Sequence, residues 1–111
     1  MLYKKLATSI SYRMNQLFLK RNTINKYNNP KGLLNAAILG CGGSGLMHAS
    51  HYLTHDKVIV KKIFDINKNR FNDVARYLPF ADSYIEKTCN VNSILNDDAI
   101  ELVSICTPDF T

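Results

Sequence analysis

A glycine-rich turn directly after a short apolar run is the feature of this sequence that most constrains the fold. The run Ala36–Leu39 ends at Gly40, and the chain continues as Gly40-Cys41-Gly42-Gly43-Ser44-Gly45, which satisfies the pattern G-x-G-x-x-G. Between a strand and a helix, the first glycine permits a tight turn, the second lets a pyrophosphate approach the backbone, and the third lets the helix pack closely. Free amides at the start of such a helix favour a negatively charged group. The motif therefore predicts a phosphate-binding turn between a strand and a helix.

The sequence after residue 32 alternates between strand and helix patterns. Short apolar runs without alternation are typical of strands buried on both faces of a parallel sheet. Three such runs are Leu33–Leu39, Val58–Phe64 (interrupted by Lys61 and Lys62) and Leu102–Cys106, and helical stretches Ser44–His55 and Asn67–Tyr77 follow the first two. We also expect a short strand near Asp82–Ile85 and a short helix near Val91–Leu95. The pattern predicts an α/β fold: a partial Rossmann fold with a parallel sheet in the order 3-2-1-4 and flanking helices.

Asp65 ends the second apolar run, 20 residues after Gly45. An acid at about this distance accepts hydrogen bonds from the adenosine ribose hydroxyls and repels a 2′-phosphate, which favours NAD over NADP. Lys68 and Arg70 lie close by in sequence and weaken that preference. The competing interpretation is a flexible glycine loop with a surface aspartate that caps the helix starting near Asn67.

The end of the last strand is the third candidate part of a site. In a sheet of order 3-2-1-4, strands 1 and 4 flank the point where ligands bind, at the carboxyl ends of the strands. Thr107 and Pro108 are therefore predicted to lie across the crevice from the glycine turn. The alternative is an ordinary turn that ends a strand.

The first 32 residues differ from the rest in charge. They carry seven Lys or Arg and no acid, whereas residues 33–111 have a net charge of −2. Apolar residues at helical spacing predict a basic amphipathic helix, formed by Leu2, Leu6, Ile10, Met14, Leu17 and Phe18. Asn22–Gly32 reads as a linker. Such an arm can bind an anionic membrane surface, act as an organellar transit peptide, or dock on the body or a protein partner.

Length and composition set the remaining bounds. A chain of 111 residues suits one domain, here residues 33–111, with residues 1–32 as arm and linker. There is no apolar run of 18 residues. Three Cys without framework spacing favour a reducing compartment, so a cytoplasmic protein is expected. The mildly acidic body gives no electrostatic reason to bind nucleic acid.

Other reactive side chains do not form a convincing site. Three histidines, His48, His51 and His55, fall on one helix face, which we expect to be solvated and without a metal. Cys41 is expected to pack as a small apolar group. The acids before the last strand, Asp97, Asp98 and Glu101, are expected to be solvated turn residues. No catalytic residue is therefore assigned.

Taken together, these motifs resemble the N-terminal domain of the Gfo/Idh/MocA family of dinucleotide-dependent sugar and polyol oxidoreductases. The resemblance runs from about Leu34 to Pro108 and rests on four stretches: Ala37-Ile38-Leu39-Gly40-Cys41-Gly42, Met47-His48, Phe64-Asp65 and Ser104-Ile105-Cys106-Thr107-Pro108. It implies that Gly40, Gly42 and Gly45 contact the pyrophosphate, Asp65 the ribose, and Thr107 with Pro108 the nicotinamide side. The candidate cofactor-binding residues are Gly40, Gly42, Gly43, Ser44, Gly45, Asp65, Thr107 and Pro108.

The resemblance covers only the cofactor half of such an enzyme. Family members continue into a second domain with the substrate pocket, and a Glu-Lys-Pro motif near the junction carries their catalytic lysine. We therefore expect a truncated domain that binds a dinucleotide but does not turn over a sugar or polyol unless that second domain is supplied. The alternative is a non-catalytic nucleotide-binding or protein-interaction module that pairs through the exposed edge of its last strand. A gene remnant without selected function is a third possibility.

Overall fold

The computed structural model describes residues 20–106. Residues 20–28 are helical and are named α1. The elements that follow are β1 (Leu34–Leu39), α2 (Gly43–Thr54), β2 (Val58–Phe64), a 3-10 turn (Lys68–Arg70), α3 (Phe71–Tyr77), a 3-10 turn (Asp82–Tyr84), β3 (Glu86–Thr88), α4 (Asn92–Leu95) and β4 (Leu102–Ile105).

The four strands form one parallel sheet in the order β3-β2-β1-β4. This confirms the predicted α/β class and strand order. The central strand β1 lies between β2 and β4, and its residues Ala36 to Ile38 are fully buried. A strand in this position contacts protein on both faces, which explains why its apolar run shows no alternation.

Helices cover the two faces of the sheet unequally. On one face α2 and α3 enclose the larger core, which includes Ile38, Ile63 and Val74. On the other face the short helix α4 contributes Ile94, which packs on Ala37 and Leu39. The larger core therefore lies beneath α2, the helix that follows the glycine turn.

The charged interruption in the second apolar run is a register irregularity. Ala36 pairs with Val60 but Ala37 pairs with Lys62, so Lys61 is an extra residue in β2. The Nζ atom of Lys62 is 2.8 Å from Asp97 and 3.1 Å from Glu86, and it donates to the carbonyl of Ser93 at 2.9 Å. Asp97 is thus a half-buried partner of a strand lysine rather than the solvated turn residue we expected.

The prediction of a strand near Asp82–Ile85 is wrong in position. Residues Asp82–Tyr84 form a 3-10 turn, and β3 begins at Glu86. The amides of Tyr84 and Ile85 both donate to the carbonyl of Ala81, which holds this segment in a turn. Ile85 is apolar because it is anchored in the core, where it is 3% exposed. The short helix expected near Val91–Leu95 is present as α4.

The linker predicted over Asn22–Gly32 is wrong up to Asn28, because this part is helical and contacts the body. Thr23 is buried, and the Tyr27 ring stacks on Tyr84 with centroids 4.6 Å apart. The connection itself is short: Gly32 has a φ of +84°, and the amide of Leu33 donates to Pro30. The division of the chain at residue 32 stays a prediction.

Predictions about residues 1–19, including the amphipathic helix over Leu2–Phe18 and its membrane or transit role, lie outside the described residues. Within residues 20–106, no helix is both long and apolar enough to cross a membrane.

Candidate functional site

Two glycines of the motif are required by the geometry of the turn itself. Gly40 has a φ of +110°, a conformation that residues with a side chain rarely adopt, and its amide donates to the carbonyl of Phe64 at 2.7 Å. A Cβ atom on Gly45 would lie 1.8 Å from the carbonyl oxygen of Gly40. The chain thus turns sharply out of β1, and α2 packs directly against that turn.

The middle glycines, by contrast, border open space. A Cβ atom on Gly42 or Gly43 would meet nothing within 4 Å. Gly42 is the N-cap of α2, with extended backbone and no side-chain cap. The first amides of a helix have no partner within the helix, so those following Gly42 need an acceptor from outside it. A cradle with room for a side chain but built of glycine suits a ligand that lies close to the backbone.

The Asp65 carboxylate points at this turn. Its Oδ2 atom accepts from the amide of Cys41 at 2.9 Å, and its Oδ1 atom accepts from the amide of Asn67 at 2.8 Å. The second contact is the local capping that the competing interpretation expected, and the first ties the acid to the glycine motif across two strands. Because a carboxylate has about four acceptor sites, these two bonds leave capacity for a further donor.

The turn and the acid border one cleft of about 580 Å³ at the carboxyl ends of β1, β2 and β4. This volume is typical of small-molecule sites. The cleft brings together Gly40, Gly42, Gly43, Ser44 and Asp65, with Phe64, Ile66, Asn67, Arg70, Ile105 and Cys106 as further lining residues. Gly45 lies beneath it, buried against Gly40. Thr107 and Pro108 lie outside the described residues.

The sequence did not single out Ile66, Asn67, Ile105 and Cys106 as lining residues. The signal was available, because residues that follow parallel strands meet at the same edge of a sheet. Cys106 directly follows β4, and its amide donates to the carbonyl of Leu39 at 2.8 Å.

The thiol next to the turn is not an activated one. Cys41 is fully buried in the larger core, as expected. Burial, reinforced by the nearby Asp65 charge, raises the pKa of Cys41 to about 12. Burial also raises the pKa of Cys106, and a hydrogen bond with Ser44 works against that rise. At neutral pH both side chains are neutral thiols that pack against their surroundings.

The histidine face of α2 is solvated as predicted, since His48, His51 and His55 are all exposed. Across residues 20–106 there is no group of three His, Cys, Asp or Glu side chains that could hold a metal ion.

Comparison with known proteins places this geometry in a family. The family model for Gfo/Idh/MocA proteins, an oxidoreductase family with an NAD-binding Rossmann fold, matches residues 34–111. No curated protein matches the chain significantly.

Solved structures share the fold. The protein yvaA of Bacillus subtilis is 32% identical, with a TM-score of 0.59 over 70% of this chain and 21% of that chain. GenD2 from gentamicin A biosynthesis, solved with NAD, is 24% identical, with a TM-score of 0.58 over 68% and 20% of the two chains. A myo-inositol dehydrogenase from Corynebacterium glutamicum is 19% identical, with a TM-score of 0.55 over 68% and 21%. The chain spans about one fifth of the length of these proteins.

The sheet order and the glycine turn are those of a Rossmann domain, and the matching family model describes an NAD-binding Rossmann fold. The chain belongs to the Gfo/Idh/MocA family of oxidoreductases, as the match over residues 34–111 shows.

Proposed function

We propose that this chain binds NAD in the cleft above the glycine turn, as the cofactor-binding part of an oxidoreductase that acts on a sugar or polyol. The observation that carries the proposal is the hydrogen bond between the Asp65 carboxylate and the amide of Cys41. It brings a ribose-binding acid and an uncapped helix start to the same cleft, which are the two features a dinucleotide needs.

Each candidate residue has a place in this proposal. The pyrophosphate lies on the turn, against the backbone of Gly40, Gly42 and Gly43, with Ser44 at the first turn of α2. Gly45 keeps the helix close enough for its amides to reach the phosphates. Asp65 accepts from the adenosine ribose hydroxyls. Thr107 and Pro108 come next after β4 in the sequence, and for them we propose contacts on the nicotinamide side.

We expect a preference for NAD over NADP because the Asp65 carboxylate would repel a 2′-phosphate. Arg70 opposes this preference, since its exposed side chain lines the same cleft and carries a positive charge. The acid is the closer group to the turn, since it bonds to the Cys41 amide. NAD is therefore the cofactor we propose.

The bound nicotinamide would supply the hydride chemistry, and the residues described here would bind and orient it. A sugar or polyol substrate is proposed by analogy with the family and with the myo-inositol dehydrogenase that shares the fold. By the same analogy, we propose that substrate contacts and a catalytic lysine come from a second domain of such proteins, and that the residues described here bind the cofactor. A cytoplasmic location remains our prediction.

Titration of the full chain with NADH and NADPH, followed by nucleotide fluorescence, tests the proposal. The chain has no Trp to complicate the signal. We expect Asp65→Ala to raise the NADH Kd at least about tenfold, equivalent to ~1.4 kcal/mol. We expect Asp65→Asn to narrow the difference between NADH and NADPH. Asp98→Ala is the matched control, because Asp98 is exposed in the turn before β4. An NADH Kd that is the same in wild type and Asp65→Ala would overturn the site.

A second function is favoured by the free side of β4. Among the described residues β4 pairs with β1 alone, and its side chains Val103 and Ile105 are 39% and 74% exposed. An apolar edge strand of this kind can pair with another protein chain. A concentration-independent monomer in size-exclusion chromatography would count against such a module.

A further inference from the structure

The α2 helix is held in place by few large side chains of its own. Its buried residues are Gly45, Ala49 and Leu53, and the first two are the smallest side chains available. Leu46 and Tyr52 contribute partly buried surface. Tyr52 also forms a hydroxyl–hydroxyl hydrogen bond with Ser104 of β4. The helix that carries the phosphate turn therefore depends on contacts from other elements.

One group of these contacts comes from α1. The Lys26 ammonium donates to the carbonyls of Tyr52 and Leu53 at 3.0 Å each, and to that of His55 at 2.7 Å. Carbonyls in the last turn of a helix lack partners within the helix. One lysine from a distant part of the chain thus satisfies the C-terminal end of α2.

Charge reinforces this contact. The C-terminal end of a helix carries partial negative charge, and the only basic residue in the last turn of α2 is His51. Lys26 supplies a full positive charge there. Its partial burial lowers the pKa of Lys26 from its ordinary value, and the nearby Asp56 carboxylate works against that change. The ammonium is therefore partly removed from water and directed at the end of the helix.

We propose that Lys26 is a positioning residue for dinucleotide binding: by holding the C-terminal end of α2, it fixes the amides at the opposite end of the same helix. A helix of 12 residues is a stiff rod about 18 Å long. A tilt at one end moves the other end unless a large side chain anchors the middle, and the middle of α2 is anchored by Ala49. Helix α1 is thus a part of the cofactor-binding unit. This inference rests on the proposed NAD site.

The test uses the full chain with Lys26→Met, Lys26→Arg and, as a milder neutral change, Lys26→Gln. The matched control is Lys20→Met, which removes the same charge from an exposed position on the same helix. NADH affinity is measured at a temperature where each variant is folded by circular dichroism. Amide hydrogen exchange of α2 is measured without nucleotide.

We expect Lys26→Met and Lys26→Gln to raise the NADH Kd about three- to tenfold, Lys26→Arg to restore most of the affinity, and Lys20→Met to change it less than twofold. Loss of a residue that merely caps the helix would increase exchange in the last turn of α2 alone. Loss of a positioning residue would also increase exchange at Leu46 and Met47, whose amides form the first hydrogen bonds of the helix.

A folded Lys26→Gln protein with wild-type NADH affinity and faster exchange confined to the last turn would overturn the inference. If wild type itself fails to bind NADH, the proposed function fails. The exchange at Leu46 and Met47 then still decides whether Lys26 acts along the helix.

Discussion

The two ends of α2 are built in opposite ways. At the N-terminal end, the cap residue Gly42 offers no side chain, and the space around it is open. At the C-terminal end, Lys26 and the amide of His55 occupy the carbonyls. Both ends begin with the same deficit of hydrogen-bond partners. The chain satisfies one end with its own side chain, and at the other end we propose that a bound anion supplies the acceptors.

The comparison separates a glycine that the fold requires from one for which we propose a role in ligand binding. Gly45 is glycine because the protein itself occupies the space that a side chain would need. Gly42 is glycine although the protein leaves that space empty. The same residue type in one motif therefore predicts opposite consequences for substitution.

The largest effect is expected for Gly45→Ala. Its Cβ atom would overlap the backbone oxygen of Gly40, which cannot rotate away as a side chain can. A backbone overlap this close belongs at the upper end of the ~1–3 kcal/mol that overpacking costs, and the gain of about 1 kcal/mol that alanine brings in a helix leaves a net loss of about 2 kcal/mol. We expect thermal unfolding to show a fall in Tm of about 10 °C or more. An unchanged Tm would mean that α2 is not seated against the turn.

A smaller effect, on NADH binding rather than on stability, is expected for Gly42→Val at the N-terminal end of α2. Valine fits the extended backbone of this position and meets no protein atom at Cβ, so the free energy of unfolding should change by less than about 1 kcal/mol. The side chain would occupy the place proposed for the pyrophosphate, and we expect the NADH Kd to rise at least about tenfold. Scanning calorimetry without NADH measures the free energy of unfolding, and titration calorimetry with NADH measures the Kd. A variant that binds NADH normally would contradict the proposed position of the phosphates.

The smallest effect is expected for Tyr27→Phe in α1, next to Lys26. The Tyr27 hydroxyl donates to the carbonyl of Val60, and burial raises the pKa of Tyr27, so the hydroxyl keeps its proton. Loss of this bond should cost about 1 kcal/mol, while the ring still stacks on Tyr84. Urea unfolding measures the loss, and the NADH Kd should stay within about twofold because the hydroxyl that is removed bonds to β2 rather than to α2. Tyr84→Phe is a matched control that removes a hydroxyl and keeps the stack.

Much of this fold was accessible from local patterns. The apolar runs predicted all three long strands, and the glycine motif placed the strand–helix boundary, because these signals depend on burial and backbone freedom within a few residues. The sequence failed where distant contacts decide the structure. Asn22–Asn28 is rich in polar residues and looks like a loop, yet Lys26 and Tyr27 find partners some 30 residues away that stabilise it as a helix. Ile85 looked like strand because it is apolar, but it anchors a turn.

Within the site, the acid and the turn were predictable as separate pieces, and their contact was not. Spacing alone identified Asp65, but two interpretations of it remained open. The structure shows that one carboxylate makes both bonds, to Asn67 in its own loop and to Cys41 in the turn.

The single inserted residue in β2 has a consequence for this contact. Val60 and Ile63 both face the larger core although they are three positions apart, which strict alternation forbids. The bulge leaves Lys61 unpaired, so every later side chain of β2 keeps the face that it would have in a regular strand one residue shorter. If β2 contained Lys61 without a bulge, strict alternation would turn Ile63 out of the larger core and would place the Asp65 carboxylate on the opposite face of the sheet. The bulge in the middle of β2 thus decides on which side of the domain the acid after the strand is displayed.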